Sequence, residues 1–363
     1  MATRGLGNVG NTCGLNALIQ CIAHTDALRE FFLESAPDGT IAEGHTYSIV
    51  NELKRLLQEF WVSDRSLVPK RFAKAFEEAT KGRIAMGEQM DMSEVFMVLQ
   101  DKFEREWAST GTAVTVTVTP PWPGDGAAQG TPAGNLNAHA MESWARFMGK
   151  VPQRWAHITS GLQLGQVVCG TCKHVYHNFE PFSSLSLEIP KPAAPGASVH
   201  LSECFKAFFD AEALGGGGGG GGGGNGDGAG GGGGWKCDKC SGHNAEKLVR
   251  FWAAPKVLVV VLKRFRFKAN GQMEKKHVPI DIPETFEFLP ATELAPGKDR
   301  PLYRIRAIGT HFGSLNSGHY TALAAHSGKW YHFDDLNINP LANADMALKN
   351  NIHAYMLFYE RSS

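Results

Sequence analysis

Gly5-Leu6-Gly7-Asn8-Val9-Gly10-Asn11-Thr12-Cys13-Gly14-Leu15-Asn16-Ala17-Leu18-Ile19-Gln20-Cys21-Ile22 is the stretch that decides how the rest of the chain is read. Its first half interleaves glycine with asparagine, the residues of turns. Its second half places Leu15, Leu18, Ile19 and Ile22 at helical spacing, so a turn feeds a helix that Asn11 or Thr12 can cap. Cys13 falls where that helix opens. A thiolate there is favoured by the helix dipole and by free backbone N–H groups. A free thiol has a pKa of about 8.5, so a nucleophile needs such help or a nearby imidazole. Asn8, five residues earlier, could donate its side-chain amide to a developing oxyanion. The plain alternative for Cys13 is a small buried residue behind a turn. Cys21, inside the apolar helix, and Cys204, in a short amphipathic run, read as ordinary core residues.

A base for Cys13 has to come from a distant part of the chain. His319 lies in Ser317-Gly318-His319-Tyr320, where a strand begins, and is one of 14 histidines. Asp334-Asp335 ends the strand Lys329-Trp330-Tyr331-His332-Phe333, at a distance from His319 that suits a hairpin. A carboxylate beside the imidazole would fix its tautomer and stabilise its cation. The plain alternative is an acidic turn after an edge strand. Glu88-Gln89-Met90-Asp91-Met92-Ser93-Glu94 stands at the start of a further helix. Acids in a first turn are favoured by the dipole alone. The functional alternative is that Asp91 and Glu94 hold a basic, extended peptide.

The two Cys-x-x-Cys pairs, Cys169/Cys172 and Cys237/Cys240, have zinc-knuckle spacing. They stand 65 residues apart, so each knuckle is expected to tip its own hairpin. Four thiolates leave no open position for water, which makes the expected zinc structural. His174, His177 and His243 rank behind the cysteines as ligands and read as surface residues.

The 363 residues suffice for one large domain or two ordinary ones, and 43% are hydrophobic. Lys+Arg and Asp+Glu balance at 36 each, which gives no bulk reason to expect nucleic acid or an anionic membrane as partner. No apolar run approaches the roughly 20 residues of a membrane span. Met1 to Gly5 leads into the turn without a signal-like apolar region, so an intracellular protein is expected. Helical periodicity recurs over 47–61, from Pro69 to Phe76 and over 92–107; a short helix is read over 201–209. From about 158 onward, period-two segments dominate. Helices first and strands later make this an α+β chain. Residues 109–138, rich in Thr, Pro, Gly and Ala, read as a surface insertion, with an edge strand possible over Thr112–Thr119. Residues 215–234 contain 17 glycines and are expected to be a disordered loop.

In this order the segments resemble the catalytic domain of ubiquitin-specific proteases, from Gly5 to about Tyr359. Gly5 to Cys13, with Leu15-Asn16 and Gln20, looks like the family's cysteine box; Gln89, Asp91 and Glu94 look like its Gln-x-Asp-x-x-Glu segment. Lys263-Arg264-Phe265 looks like its Leu-Lys-Arg-Phe motif. Tyr303 through Gly318-His319-Tyr320, then Trp330 to Asp335, look like its histidine box; Ala354 to Tyr359 looks like its closing strand.

The resemblance implies a papain-like cysteine protease fold with thumb, palm and zinc-tied fingers in a single domain, 1–363. The thumb would cover about 1–108, the fingers about 158–255 and the palm about 256–363. Cys13 would attack the carbonyl of ubiquitin's C-terminal glycine, with His319 as base and then acid and Asp334 orienting it. Asn8 would belong to the oxyanion hole, and Asp335 would help or replace Asp334. Asp91 and Glu94, with Gln89 in the same segment, would meet ubiquitin's arginine-bearing tail. The expected partners are ubiquitin and its conjugates, met by a monomer in the cytoplasm, the nucleus or both. Gly14 departs from the pattern, in which an aromatic usually follows the nucleophile. Two rivals keep the fold but change the function: a ubiquitin-binding pseudo-protease, and a protease for another ubiquitin-like modifier. A zinc-ribbon module for nucleic acid fits poorly with the neutral charge.

Overall fold

The computed structural model describes residues 3–362 apart from 37, 63–64, 83–86, 109–131, 150–152, 215–234, 268–270, 288–299 and 315–316. Before residue 160 the described elements are helices: α1 (Cys13–Ala23), α2 (Asp26–Glu30), which runs on into a π-helical turn (Phe31–Ser35), α3 (Ile49–Val62), α4 (Lys70–Thr80), α5 (Met92–Ala108), α6 (Pro132–Met148) and α7 (Gln153–Thr159). Strands follow, beginning with β1 (Gly161–Cys169), β2 (Val175–Phe182), β3 (Leu185–Leu187) and β4 (Val199–His200). After α8 (Leu201–Phe209) come β5 (Glu212–Leu214), β6 (Ala245–Ala253), β7 (Val257–Leu262), β8 (Phe265–Phe267), β9 (Met273–Lys275), β10 (Ile280–Asp281) and β11 (Thr285–Glu287). The chain closes with β12 (Leu302–Ser314), β13 (Ser317–His326), β14 (Lys329–Asp334), β15 (Asn337–Pro340), α9 (Asp345–Leu348) and β16 (Ala354–Arg361). This is the expected α+β order.

Two sheets organise the molecule. The larger runs β15-β14-β13-β12-β16-β7-β3, with β11 added alongside β12. One strand in from its edge is β7, whose six residues are all buried. Val257, Val259 and Val261 enter the core shared with α1, α3, α4 and α5, while Leu258, Val260 and Leu262 enter a second core with α8. A strand covered on both faces has no solvent side, which is why its sequence is apolar throughout instead of alternating. The smaller sheet runs β2-β1-β6-β5.

One expectation needs correction. The end of the stretch read as an insertion, from Pro132, is the start of α6. Proline suits the first helical position. Beyond it Ala140, Trp144 and Met148 recur every fourth residue and pack against Leu162, Leu164, Phe179 and Trp252 under the smaller sheet. The possible edge strand at Thr112–Thr119 and the glycine tract lie outside the described residues.

Candidate active site

α1 packs against β12, β13 and β14, so Cys13 at its first turn faces the larger sheet. Thr12 is the N-cap, but its hydroxyl serves the loop instead of the helix: it accepts from Val9 N–H (3.0 Å) and meets Asn8 Oδ1 (3.2 Å). Asn8 Oδ1 also accepts from the N–H groups of Gly10 and Thr12, both at 3.1 Å. Asn8 Nδ2 donates to Asp335 Oδ2 (2.9 Å), and buried Asn16 donates from Nδ2 to Asp335 Oδ1 (2.8 Å). Asp335 therefore ties the cysteine loop to the turn after β14. That turn is sharp: Asp335 (φ 49°) and Asn11 (φ 48°) both adopt the left-handed conformation, which Asp and Asn tolerate best among non-glycine residues.

His319 lies on β13 and Asp334 ends β14. His319 Nε2–H donates to Asp334 Oδ1 at 2.6 Å, leaving Nδ1 as the basic nitrogen. One ring nitrogen of His319 and one carboxylate oxygen each of Asp334 and Asp335 lie within 4.8 Å of one another. Cys13 is 7% exposed. Burial pushes its thiol up, and the charge of Asp335 adds to that. The backbone N–H groups of Tyr320, Gly14 and Cys13 pull the other way without prevailing. The helix terminus thus acts in the expected direction, but desolvation outweighs it. The resting sulfur is a thiol.

Glycine is required beside both groups. A Cβ at Gly318 would lie 2.1 Å from His311 Nε2, and one at Gly14 would lie 2.8 Å from the Met90 carbonyl oxygen. Gly14 is therefore matched to Met90, which no reading of its own neighbourhood could reveal.

The acidic segment is more occupied than its sequence suggests. Asp91 caps α5, accepting from Ser93 N–H (2.8 Å) and Glu94 N–H (3.1 Å). It also accepts from the hydroxyls of Tyr355 (2.7 and 2.9 Å) and Tyr320 (3.1 Å). Gln89 spends its amide on the backbone of Gly318. Glu94 is exposed.

The four paired cysteines converge at the tip of the smaller sheet. Cys169 and Cys172 turn β1 into β2, and Cys237 and Cys240 lie between β5 and β6, which pair antiparallel. The two knuckles share one geometry. Lys173 N–H donates to Cys169 O and Ser241 N–H to Cys237 O; Lys173 (φ 61°) and Ser241 (φ 59°) are both left-handed. Cys169 and Cys240 Sγ are 3.6 Å apart, Cys172 and Cys237 Sγ 3.7 Å. Four thiolates around a tetrahedral zinc, each at about 2.3 Å, would stand roughly 3.8 Å apart, so these residues fit a metal ion. Tyr176 OH donates to Cys237 Sγ (3.3 Å) while accepting from Asp238 N–H (3.0 Å). Cys21 and Cys204 are fully buried in the two cores, as read.

The ubiquitin carboxyl-terminal hydrolase family matches residues 4–359. The chain belongs to that family. It is 27% identical over 371 residues to ubiquitin carboxyl-terminal hydrolase 21 of Mus musculus, covering 98% of this chain and 61% of that protein. It is 26% identical over 375 residues to ubiquitin carboxyl-terminal hydrolase 2 of Homo sapiens, covering 99% of this chain and 55% of that protein. The chain thus spans little more than half the length of these relatives. Its fold is similar to that of a SAGA DUB module, Ubp8/Sgf11/Sus1/Sgf73 bound to ubiquitin aldehyde, with a TM-score of 0.72 at 21% identity over 99% of this chain and 70% of that one. The module bound to monoubiquitin, in a variant form, gives a TM-score of 0.71 at 20% identity, over 99% and 69% of the two chains. The papain-like architecture expected from the sequence is therefore the one the chain adopts.

Proposed function

We propose that the chain is a thiol-dependent deubiquitinase, hydrolysing the peptide or isopeptide bond after the C-terminal glycine of ubiquitin. The observation that carries this reading is the short His319–Asp334 hydrogen bond on β13, the strand against which the helix opening at Cys13 packs, in a chain of this family. His319 takes the Cys13 proton, and the thiolate attacks the glycine carbonyl. The resulting imidazolium is held by Asp334 and returns its proton to the leaving amine. A thioester remains, and water activated by His319 releases the ubiquitin acid. Asn8 has two amide protons and gives one to Asp335, so the other is left for the oxyanion.

Exposed Glu94 is the acid best placed to meet a basic tail, with Asp91 supporting it through the tyrosine hydroxyls. Zinc on Cys169, Cys172, Cys237 and Cys240 would hold the two hairpins together and supply no chemistry. The protein would act as a monomer on ubiquitin conjugates in the cytoplasm, the nucleus or both. Release of a fluorophore from the ubiquitin C-terminus tests the reading. Wild type is expected to cleave and Cys13→Ala to bind ubiquitin without cleaving. Cleavage of other ubiquitin-like modifiers but not of ubiquitin would reassign the substrate. Equal rates in the two proteins would remove Cys13 as nucleophile.

A further inference from the structure

The segment 87–91 touches both halves of the site. At one end Gly87 N–H donates to Gly10 O (3.1 Å), and Asn11 Nδ2 donates to Gly87 O (2.5 Å), which ties the segment to the cysteine loop. Further along, Gln89 Nε2 donates to Gly318 O and Gly318 N–H donates to Gln89 Oε1, both at 2.9 Å. Asp91 Oδ2 then accepts from Tyr320 OH at 3.1 Å. Gly318 and Tyr320 are the residues on either side of His319. Between the two grips, the Met90 carbonyl lies against Gly14, the residue after Cys13.

The sheet explains why such a grip is needed. β13 pairs with β12 as far as Ser317, but β14 covers its other edge only from Ala322 onward. Among the described residues, the part that carries His319 therefore has one strand neighbour, and its second edge lacks a strand. Backbone groups on an open edge need partners from elsewhere. Gln89 supplies both partners at Gly318 with one planar amide, in the manner of a one-residue strand. Two residues along the same edge, where the backbone faces the same way, Tyr320 N–H is among the groups that draw the Cys13 thiol down against its burial.

We propose that Gln89 is a positioning residue for His319, its amide standing in for the missing strand and fixing the base against the nucleophile. This goes beyond the role implied for Gln89 by the family resemblance, contact with the ubiquitin tail, and it rests on the assignment of His319 as base. The two roles separate kinetically. A residue that reads the tail controls KM. A residue that holds His319 controls kcat, and it also controls the readiness of Cys13 to ionise when no substrate is present.

The test compares wild type with Gln89→Ala and with Gln89→Met, which keeps the length but loses both hydrogen-bonding groups. Gln89 is exposed, so both variants are expected to fold, and a melting curve verifies it. Two quantities are measured: kcat and KM on a fluorogenic ubiquitin substrate, and the rate of Cys13 alkylation by iodoacetamide from pH 5 to 9, followed by peptide mapping. Displacing a reacting group by a fraction of an ångström to an ångström costs on the order of tenfold to a hundredfold in rate. Both variants should therefore lose roughly that factor in kcat at near-constant KM, and the neutral-pH alkylation of Cys13 should fall with it. A raised KM with kcat and the alkylation profile unchanged would assign Gln89 to the tail and overturn the proposal, as would no change in either measurement. If wild type fails to cleave ubiquitin, the functional reading falls, and the alkylation profiles decide the clamp by themselves.

Discussion

Replacing Gly14 by alanine sets two effects of opposite sign against each other. Glycine near the start of a buried helix costs about 1 kcal/mol relative to alanine, so propensity alone predicts that Gly14→Ala stabilises. The added Cβ would lie 2.8 Å from the Met90 carbonyl oxygen and 3.4 Å from Tyr320 Cδ2. The second contact is ordinary; the first is not, and its partner is backbone that cannot rotate away. Restoring contact distance takes a shift of about half an ångström in a close-packed interior, where overpacking costs about 1–3 kcal/mol. The steric term wins, leaving a net loss of roughly 1 kcal/mol and a fall in Tm of a few degrees or less for a domain of this size. The larger effect is expected on rate. Met90 cannot move without Gln89 and Asp91, which grip both sides of His319, so kcat/KM should fall by about tenfold or more. Gly165→Ala is the control, because its Cβ would meet nothing nearer than 3.7 Å. The assay is thermal melting followed by ubiquitin–fluorophore hydrolysis on the same preparations. A Gly14→Ala protein that melts higher than wild type and cleaves equally well would overturn this expectation, since it would mean that the segment yields without cost.

Three other parts of the fold give expectations of their own. Arg264 is fully buried and spends its guanidinium on four carbonyls, those of Ala354, Lys276, Val278 and Asn351, so Arg264→Met should strand them and cost roughly 3 kcal/mol or more in urea unfolding. Lysine at this position keeps the charge but lacks the fork, and should recover only part of that loss. His24 is 2% exposed and burial holds its imidazole down to about 4. In the unfolded chain it titrates near its ordinary 6.5, so between about pH 6.5 and 4 only the unfolded state takes up the proton, and stability present above that window falls as the pH is lowered. The loss reaches on the order of 3 kcal/mol at pH 4; His24→Phe should flatten this part of the stability profile, and an unchanged slope would contradict it. Tyr176→Phe removes the hydroxyl that donates to Cys237 Sγ, and zinc retention against a chromophoric chelator should weaken by about tenfold, as is usual when a ligand's supporting hydrogen bond is lost.

The elements were legible in the sequence wherever local periodicity coincided with the side that becomes buried. The helices at Ile49–Val62 and Met92–Ala108 and the fully buried strand Val257–Leu262 are of this kind. The helix Pro132–Met148 was not legible, because its apolar residues sit four apart behind a start of Pro, Ala, Gly and Asn that has the composition of a loop. Its burial depends on Phe179 and Trp252, more than thirty residues away in the chain, which cover it. The cysteine knuckles were legible because their candidate ligands are local pairs at fixed spacing, and the fold had only to bring two such pairs together. His319 and Asp334 were legible through the hairpin between them, which turns a short separation in sequence into contact.

The polar residues around Cys13 follow a different logic. Asn8, Gln89 and Asp91 each belong to a motif, and for each the obvious partner was the substrate. In the fold they are largely committed to the protein: Asn8 to Asp335, Gln89 to Gly318, Asp91 to two tyrosine hydroxyls and the helix that it caps. Sequence could not distinguish these uses, because the partners lie between 229 and 327 residues away. Physical chemistry explains why the internal use prevails. The sulfur of Cys13 is buried and its thiol is pushed up, so under the proposed mechanism it reacts only if His319 is held close and correctly turned. That precision favours a fixed partner for the groups that flank His319 before substrate arrives, since a free Gln89 amide or Asp91 carboxylate there would rotate and let His319 drift. The residues that a motif marks as facing the substrate are thus the ones under the greatest pressure to be tied down first. This is why the decisive measurement on Gln89 is one made with no substrate in the tube.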